Sequence, residues 1–292
     1  MNTKEFFEKV LASQALSDEQ IRTLSEHREE VEGYLREKFG QEPTIRYAGS
    51  KAKGTMIAES YDLDLTCYFP SSKDKTLKEI HDEVQKVLSI KYSIEPKASA
   101  VRIKRIDNDM ETDYHIDVVP GRFVEGNDGD AFLHVTYGEK ERMQTNIDTH
   151  ITYVKESGCQ SIIKLVKLWK VRNNVPIKTF VMEIAVVETL KGSRDKDDLA
   201  KSLREVLTRL RDEMESMRLE DPANSNNIVS EVVSVSDKNT IAIRAAEALQ
   251  ILKDNERDEL AGWQKVFDEE SETNKWSGPT VITNPSKPHC DI

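Results

Sequence analysis

Cysteine is scarce and unpatterned. The 292 residues hold only three, Cys67, Cys159 and Cys290, which are too scattered for a structural zinc site and suit a reducing compartment. No apolar run is long enough to span a bilayer, and no signal peptide is evident. Basic residues are outnumbered, 42 Lys and Arg against 53 Asp and Glu, for a formal net charge of −11. Proteins that grip long nucleic acids usually carry a basic stripe, so this balance favours small nucleotides over RNA, although Lys51, Lys53, Lys164, Lys167, Lys170 and Arg172 could form local patches. The six histidines lack HExxH spacing. A Walker loop needs lysine directly after its last glycine, whereas here Thr55 follows Gly54 and Lys53 precedes it. No Rossmann glycine pattern and no internal repeat is found. What remains is a cytoplasmic, non-membrane protein, long enough for two lobes.

Residues 49 to 64 carry the chemistry. They read GSKAKGTMIAESYDLD: a Gly49-Ser50 turn, a Gly54-Thr55 pair, then Asp62 and Asp64. Small residues let the backbone approach phosphate oxygens, and amides of a turn leading into a helix point at the anion. Asp62 and Asp64 add hard oxygen ligands of the kind that magnesium takes. From Asp62 to Phe69 polar and apolar residues alternate, which predicts a strand with one face on a core and both carboxylates on the other. At about 3.3 Å per residue their Cα atoms lie roughly 6.6 Å apart, close enough to converge on one cation or bracket two.

A two-metal site needs a further carboxylate, and Asp117 is the candidate. It sits in Tyr114–Val119, a β-rich run closed by Pro120 and Gly121, and Val101–Ile106 is a similar run across a polar connection, so a hairpin is expected. The hairpin alone leaves two readings. Asp117 either lies between Ile116 and Val118 as a costly buried charge that a metal would resolve, or shares a solvated face with His115 and pairs with a lysine.

Elsewhere, Ser17 to Phe39 is predicted as one amphipathic helix, with Ser17 as N-cap and Gly40 as its end. A strand at 44–48, a helix near 76–88 and a polar connection over 125–148 follow. Beyond it the period becomes helical, near 160–173, 179–191, 196–218 and 238–271. Segment 271–292 reads as an irregular tail in which only Trp276 hints at docking.

These motifs resemble the polymerase-β-type nucleotidyltransferases, and more narrowly the cGAS/DncV-like enzymes, or CD-NTases. The pattern is Gly49-Ser50, Gly54-Thr55, Asp62-Leu63-Asp64 and His115 through Pro120, and residues 162–183 and Asp221-Pro222 through Asn226-Asn227 extend it. The resemblance implies an α+β fold: a mixed-sheet catalytic lobe over 1–145 braced by the long N-terminal helix, a helical lobe over 146–272, a tail over 273–292, and an active site between the lobes. It implies that Gly49 and Ser50 hold the terminal phosphates and that Asp62, Asp64 and Asp117 are catalytic and bind two magnesium ions, for which manganese could substitute. Lys167, with Lys164, would neutralise the triphosphate, Thr179 would hydrogen-bond to it, and Phe180, where relatives often carry tyrosine, would stack on the base. Taken alone, the two lysines read as a solvated helix face and Phe180 as core.

The expected function is the joining of ribonucleoside triphosphates into a cyclic di- or trinucleotide in bacterial antiphage signalling, with a regulatory protein partner as a further possibility. One alternative is a terminal nucleotidyltransferase acting on RNA, of the CCA-adding type, or one that nucleotidylates a tRNA or protein. A second is a nucleotide-sensing module without turnover.

Overall fold

The computed structural model describes residues 1–105, 114–136, 141–193 and 195–267. In chain order the elements are α1 (Thr3–Ser13), α2 (Asp18–Phe39), β1 (Thr44–Tyr47), α3 (Gly49–Lys53), β2 (Leu63–Phe69), α4 (Leu77–Lys91), β3 (Ser93–Pro96), β4 (Val101–Arg105), β5 (Ile116–Val124), β6 (Asn127–His134) and β7 (Arg142–Thr145). Then follow α5 (Ile147–Glu156), α6 (Gln160–Arg172), α7 (Thr179–Thr189), α8 (Leu199–Glu213), β8 (Glu220–Asp221), β9 (Asn224–Ile228), α9 (Val235–Asp254) and α10 (Glu259–Val266). The fold is α+β, with a mixed sheet and helices.

The chain divides into two compact units. One comprises Leu16–Gly54 and Tyr61–Thr152 and holds the seven-stranded sheet, ordered β1-β2-β5-β4-β3, with β6 on β5 and β7 on β6. Strands β2 and β5 run parallel and the other pairs antiparallel. Leu63, Leu65, Val101, Ile103, Ile116 and Val118 are buried, and α2 and α4 pack against the sheet, but the expected single core face does not hold along β2, which is buried at every position from Leu65 to Phe69. On the other face a second small core forms from Ala48, Tyr68, Ala100, Val119, Ala131, Leu133 and Ile147.

Helix α2 begins where its capping chemistry says it should. The Ser17 side chain accepts from the Gln20 amide and the Gln20 side chain returns to the Ser17 amide, a capping box, and Gly40 closes the far end at φ +68°. Thr76 and Glu79 repeat the device at the start of α4.

The expected connection over 125–148 is instead β6 and β7. Ala131 and Leu133 are fully buried on alternate positions of β6, a period masked in the sequence by the polar residues around them. The helix expected over 238–271 is two helices, because α9 stops at Asn255 and Asp258 caps α10 anew by accepting from the Ala261 amide. Residues 268–271 and the tail, with Trp276, lie outside the described residues.

The other unit takes in Met1–Ala15, Thr55–Ser60 and the described residues from Tyr153 to Phe267. Its core joins α1 to α6, α7, α8, α9 and α10 and contains Trp169 and Trp263. Phe7 meets Trp263 edge-on with ring centroids 5.2 Å apart, and Phe267 lies 6.1 Å from Phe7. Segment Asp221–Asn227, expected as a loop and helix start, is a β8–β9 hairpin in which Asp221 accepts from the Ala223 amide and the Asn227 side chain. The next α-helix begins only at Val235.

Candidate active site

Strand register brings the acidic residues together. In the parallel β2–β5 pair Asp64 lies opposite Asp117, so both point to the same face. Asp62 precedes β2 by one residue, and its Oδ1 accepts a 3.1 Å hydrogen bond from the His115 amide while the Leu63 amide donates to the His115 carbonyl at 2.9 Å. Asp64 thus lies in a strand as the alternation predicts, while Asp62 stands just outside it and is tied to the residue before β5.

Helix α2 anchors the approach to both acid strands. Its Gln20 donates to Tyr61 Oη at 3.2 Å, one residue before Asp62. Its His27 Nδ1 hydrogen-bonds Tyr114 Oη, next to His115, and the Tyr61 and Tyr114 rings lie 5.3 Å apart.

Burial, and next the negative charge of Asp117, hold the Asp62 carboxyl above its ordinary range, while Arg102 pulls the other way. Such crowding of like charges is a mark of functional sites.

Gly49 makes the close approach possible. It takes φ +54°, and a Cβ placed there would fall 1.7 Å from Asp64 Oδ2. No L side chain fits, so the carboxylate rests directly against the start of α3. Ser50 is the next residue, half-buried, and the α3 N-terminus has no side-chain cap. Gly54 closes this short helix in the left-handed region at φ +74°.

Arg102 is the residue that the sequence reading missed. It lies opposite Asp117 in the antiparallel β4–β5 register and grips it bidentately, Nε to Oδ1 at 2.7 Å and Nη2 to Oδ2 at 2.8 Å. Of the two readings for Asp117 the structure contains the burial and not the solvated face: the carboxylate is 5% exposed, and the side chain paired with it is an arginine rather than a lysine. Val101 and Ile103 of β4 are buried, and the register sets Arg102, between them, against Asp117.

Among the described residues no three histidine, cysteine or carboxylate side chains are arranged to hold a metal ion. Both Asp117 oxygens are held by the Arg102 guanidinium. The donor chemistry nonetheless suits magnesium: Asp64 and Asp117 face each other in register, and Asp62 lies close enough for the charge of Asp117 to raise its pKa.

The remaining candidates lie on α6 and α7 of the helical unit. Lys164 is half-buried, whereas Lys167 is only 5% exposed and its Nζ donates to the Thr55 carbonyl at 2.9 Å. Thr55 Oγ1 in turn donates to Glu183 Oε1 at 3.0 Å, and Thr55 and Glu183 are buried as well. Lys167 thus ties α6 to the residue that follows Gly54, a role invisible in the helical period. Lys170 Nζ donates to Thr179 Oγ1 at 3.1 Å, placing a cation beside the first turn of α7. Phe180 is half-buried and packs against the helical core.

No protein-family model and no curated protein matches the chain. Solved structures do. The CdnC:HORMA-deltaN complex of E. coli MS115-1 superposes with a TM-score of 0.70 at 18% identity, covering 91% of this chain and 97% of that one. The CD-NTase CdnG of Bradyrhizobium diazoefficiens, in complex with GTP, gives 0.66 at 11% identity over 91% and 97%. The DncV cyclic AMP-GMP synthase of Vibrio cholerae, with nonhydrolyzable GTP, gives 0.62 at 16% identity over 90% and 84%. At these identities the likeness is one of architecture, and the architecture of this chain is the polymerase-β-like fold of the CD-NTase, or cGAS/DncV-like, nucleotidyltransferases.

Proposed function

We propose that this protein is a metal-dependent nucleotidyltransferase that joins ribonucleoside triphosphates into a cyclic di- or trinucleotide, releasing pyrophosphate. The observation that carries the reading is Asp64 in register with Asp117 on parallel strands, with Asp62 pinned beside them and Gly49 pressed against Asp64. The fold likeness supports it, since similar structures hold GTP, and one is a cyclic AMP-GMP synthase. The net charge of −11 favours mononucleotides over RNA as substrate.

In this reading Asp62, Asp64 and Asp117 would hold the magnesium ions. Bound there, magnesium would offset phosphate charge and lower the pKa of the acceptor hydroxyl. The chain's own residues bind and orient. The amides around Gly49 and Ser50 hold the terminal phosphates, Lys164 and Lys170 supply positive charge, Thr179 hydrogen-bonds and Phe180 stacks on the base. Lys167 positions Thr55 instead of touching phosphate. A ribose hydroxyl attacks the α-phosphorus, the new O–P bond forms, and the bond to pyrophosphate breaks. A second round closes a ring of two, and a third a ring of three. A protein partner is proposed by analogy with the CdnC:HORMA-deltaN complex, and a role in antiphage defence and a cytoplasmic site of action belong to the same proposal.

Incubation with the four ribonucleoside triphosphates and magnesium, then phosphatase and chromatography, tests this. A phosphatase-resistant small product is expected from the wild type, and Asp64→Asn should lower its yield at least about a thousandfold with the fold intact by circular dichroism. Labelled RNA or protein in place of a small product would favour the terminal-transferase alternative, and wild-type pyrophosphate release by Asp64→Asn would end the reading.

A further inference from the structure

Helix α4 buries Ile80, His81, Val84 and Leu88. Three of these are apolar. His81 is not, and it is 2% exposed with neither ring nitrogen in a hydrogen bond. A polar group buried without a partner is costly, and a bound water or ion is a common reason that one persists. The neighbours of His81 are ligating groups. The ring of His134, on β6, has its centroid 5.5 Å away. Imidazole nitrogen meets zinc at about 2.0–2.1 Å, so two rings that share a tetrahedral ion stand roughly 5 Å apart, centre to centre. His134 Nδ1 donates to the Glu141 carbonyl at 3.2 Å, which leaves Nε2 with its lone pair. Metal-ligating histidines are oriented in this way. Asp82 Oδ1 lies 3.7 Å from His81 Nδ1, against roughly 3.3 Å for two donors on one tetrahedral ion.

We propose that His81 and His134 bind a late first-row divalent cation, Zn²⁺ or its chemical kin, with Asp82 and water completing the shell. Two imidazoles are in place, and the carboxylate joins them on binding. The Asp82 side chain is 54% exposed and pairs with Lys78 at the surface, a contact weak enough for a cation to displace. That exposure, with the half-buried His134, also gives an ion its way in. Arg142, opposite His134 in the β6–β7 register, is stacked over the Phe132 ring at 5.0 Å. The site is apart from the acidic strands. Ala131 and Leu133 enter the small core with Tyr68 and Val119, on the face that carries Asp64 and Asp117, so His134 turns to the opposite face, where α4 packs. The two faces select different ions: imidazole suits zinc, copper or nickel, whereas carboxylates alone suit magnesium.

Equilibrium dialysis of the full chain against Zn²⁺, with Mg²⁺ in large excess to keep hard-oxygen sites filled, tests this. The wild type should retain one Zn²⁺ per chain. His134→Gln, which keeps a polar side chain at a half-buried position, and His81→Leu should each weaken retention at least about tenfold, while Cys290→Ser should leave it unchanged. Co²⁺ gives an independent reading: its wild-type complex should show the visible absorption of a tetrahedral nitrogen and oxygen site, and His134→Gln should lose it. The proposal is overturned if the wild type retains no Zn²⁺, if a folded His134→Gln retains it as tightly as wild type, or if retention is lost with Cys290→Ser instead. The His134→Gln arm decides the matter even if His81→Leu does not fold. No nucleotide enters the experiment, so its result stands apart from the nucleotidyltransferase reading.

Discussion

A single hydrogen atom decides what position 49 can be. Any other residue would need φ in the left-handed region and would drive its Cβ into the Asp64 carboxylate. Gly49→Ala should therefore cost about 1–3 kcal/mol of stability and, by displacing Asp64, at least about a hundredfold in pyrophosphate release. Chemical denaturation and a pyrophosphate assay check both, and an active Gly49→Ala would mean that Asp64 does not work from its observed position. The motif made the glycine visible, but the atom it accommodates became visible only in the fold. Asp117 teaches the same lesson more sharply. Its charge between Ile116 and Val118 left burial and a solvated face both open, and Arg102, fifteen residues away in sequence, gave no local sign that it would be the partner. Cys67 is the opposite case. Its place on the apolar face was legible in the alternation, and burial pushes its thiol up to about 12, so it stays protonated and structural.

Elements with strong local signals were legible nearly to the residue. Capping boxes delimit α2 and α4, and the alternation from Asp62 onward delimits β2. Strands β6 and β7 were not, because their faces are polar except where Ala131 and Leu133 enter the second core. That pairing has a consequence for pH. His81 of α4 is 2% exposed and meets the ring of His134 of β6 at 5.5 Å, and neither of its ring nitrogens makes a hydrogen bond. Burial, and then the neighbouring His134, lower its pKa, with Lys78 adding to the effect and Asp82 opposing it. The unfolded chain therefore takes up this proton first, so stability present above about pH 6.5 is lost progressively as pH falls below it. Denaturation midpoints at about pH 8 and pH 5.5 should differ for the wild type, and His81→Leu should flatten that difference. An unchanged slope in a folded His81→Leu would assign the acid sensitivity to other groups.

For the molecule as a whole, charge is the most general constraint. With 11 more acidic than basic side chains, nonspecific binding of single-stranded RNA should be weaker than about 100 µM near 0.15 M salt. Fluorescence anisotropy with a labelled oligonucleotide checks this, and binding tighter than about 1 µM would move the balance toward an RNA-modifying enzyme. Fluorescence also offers a selective probe, because among the described residues both tryptophans, Trp169 and Trp263, belong to the helical core. None of the helices described is long and apolar enough to cross a membrane.

By itself the sequence determined the local events: where helices are capped, which residues share a strand face, and that hard oxygen donors follow a glycine turn. These follow from backbone sterics and from periods of 2 and 3.6, which act between near neighbours in the chain. Only the tertiary structure decided that Asp64 faces Asp117, that Arg102 rather than Lys104 closes on it, and that Lys167 points inward to Thr55. Register and burial are set by hydrogen bonds and packing between segments far apart in sequence, and a shift of one residue in a strand would have turned its side chains to the other face of the sheet.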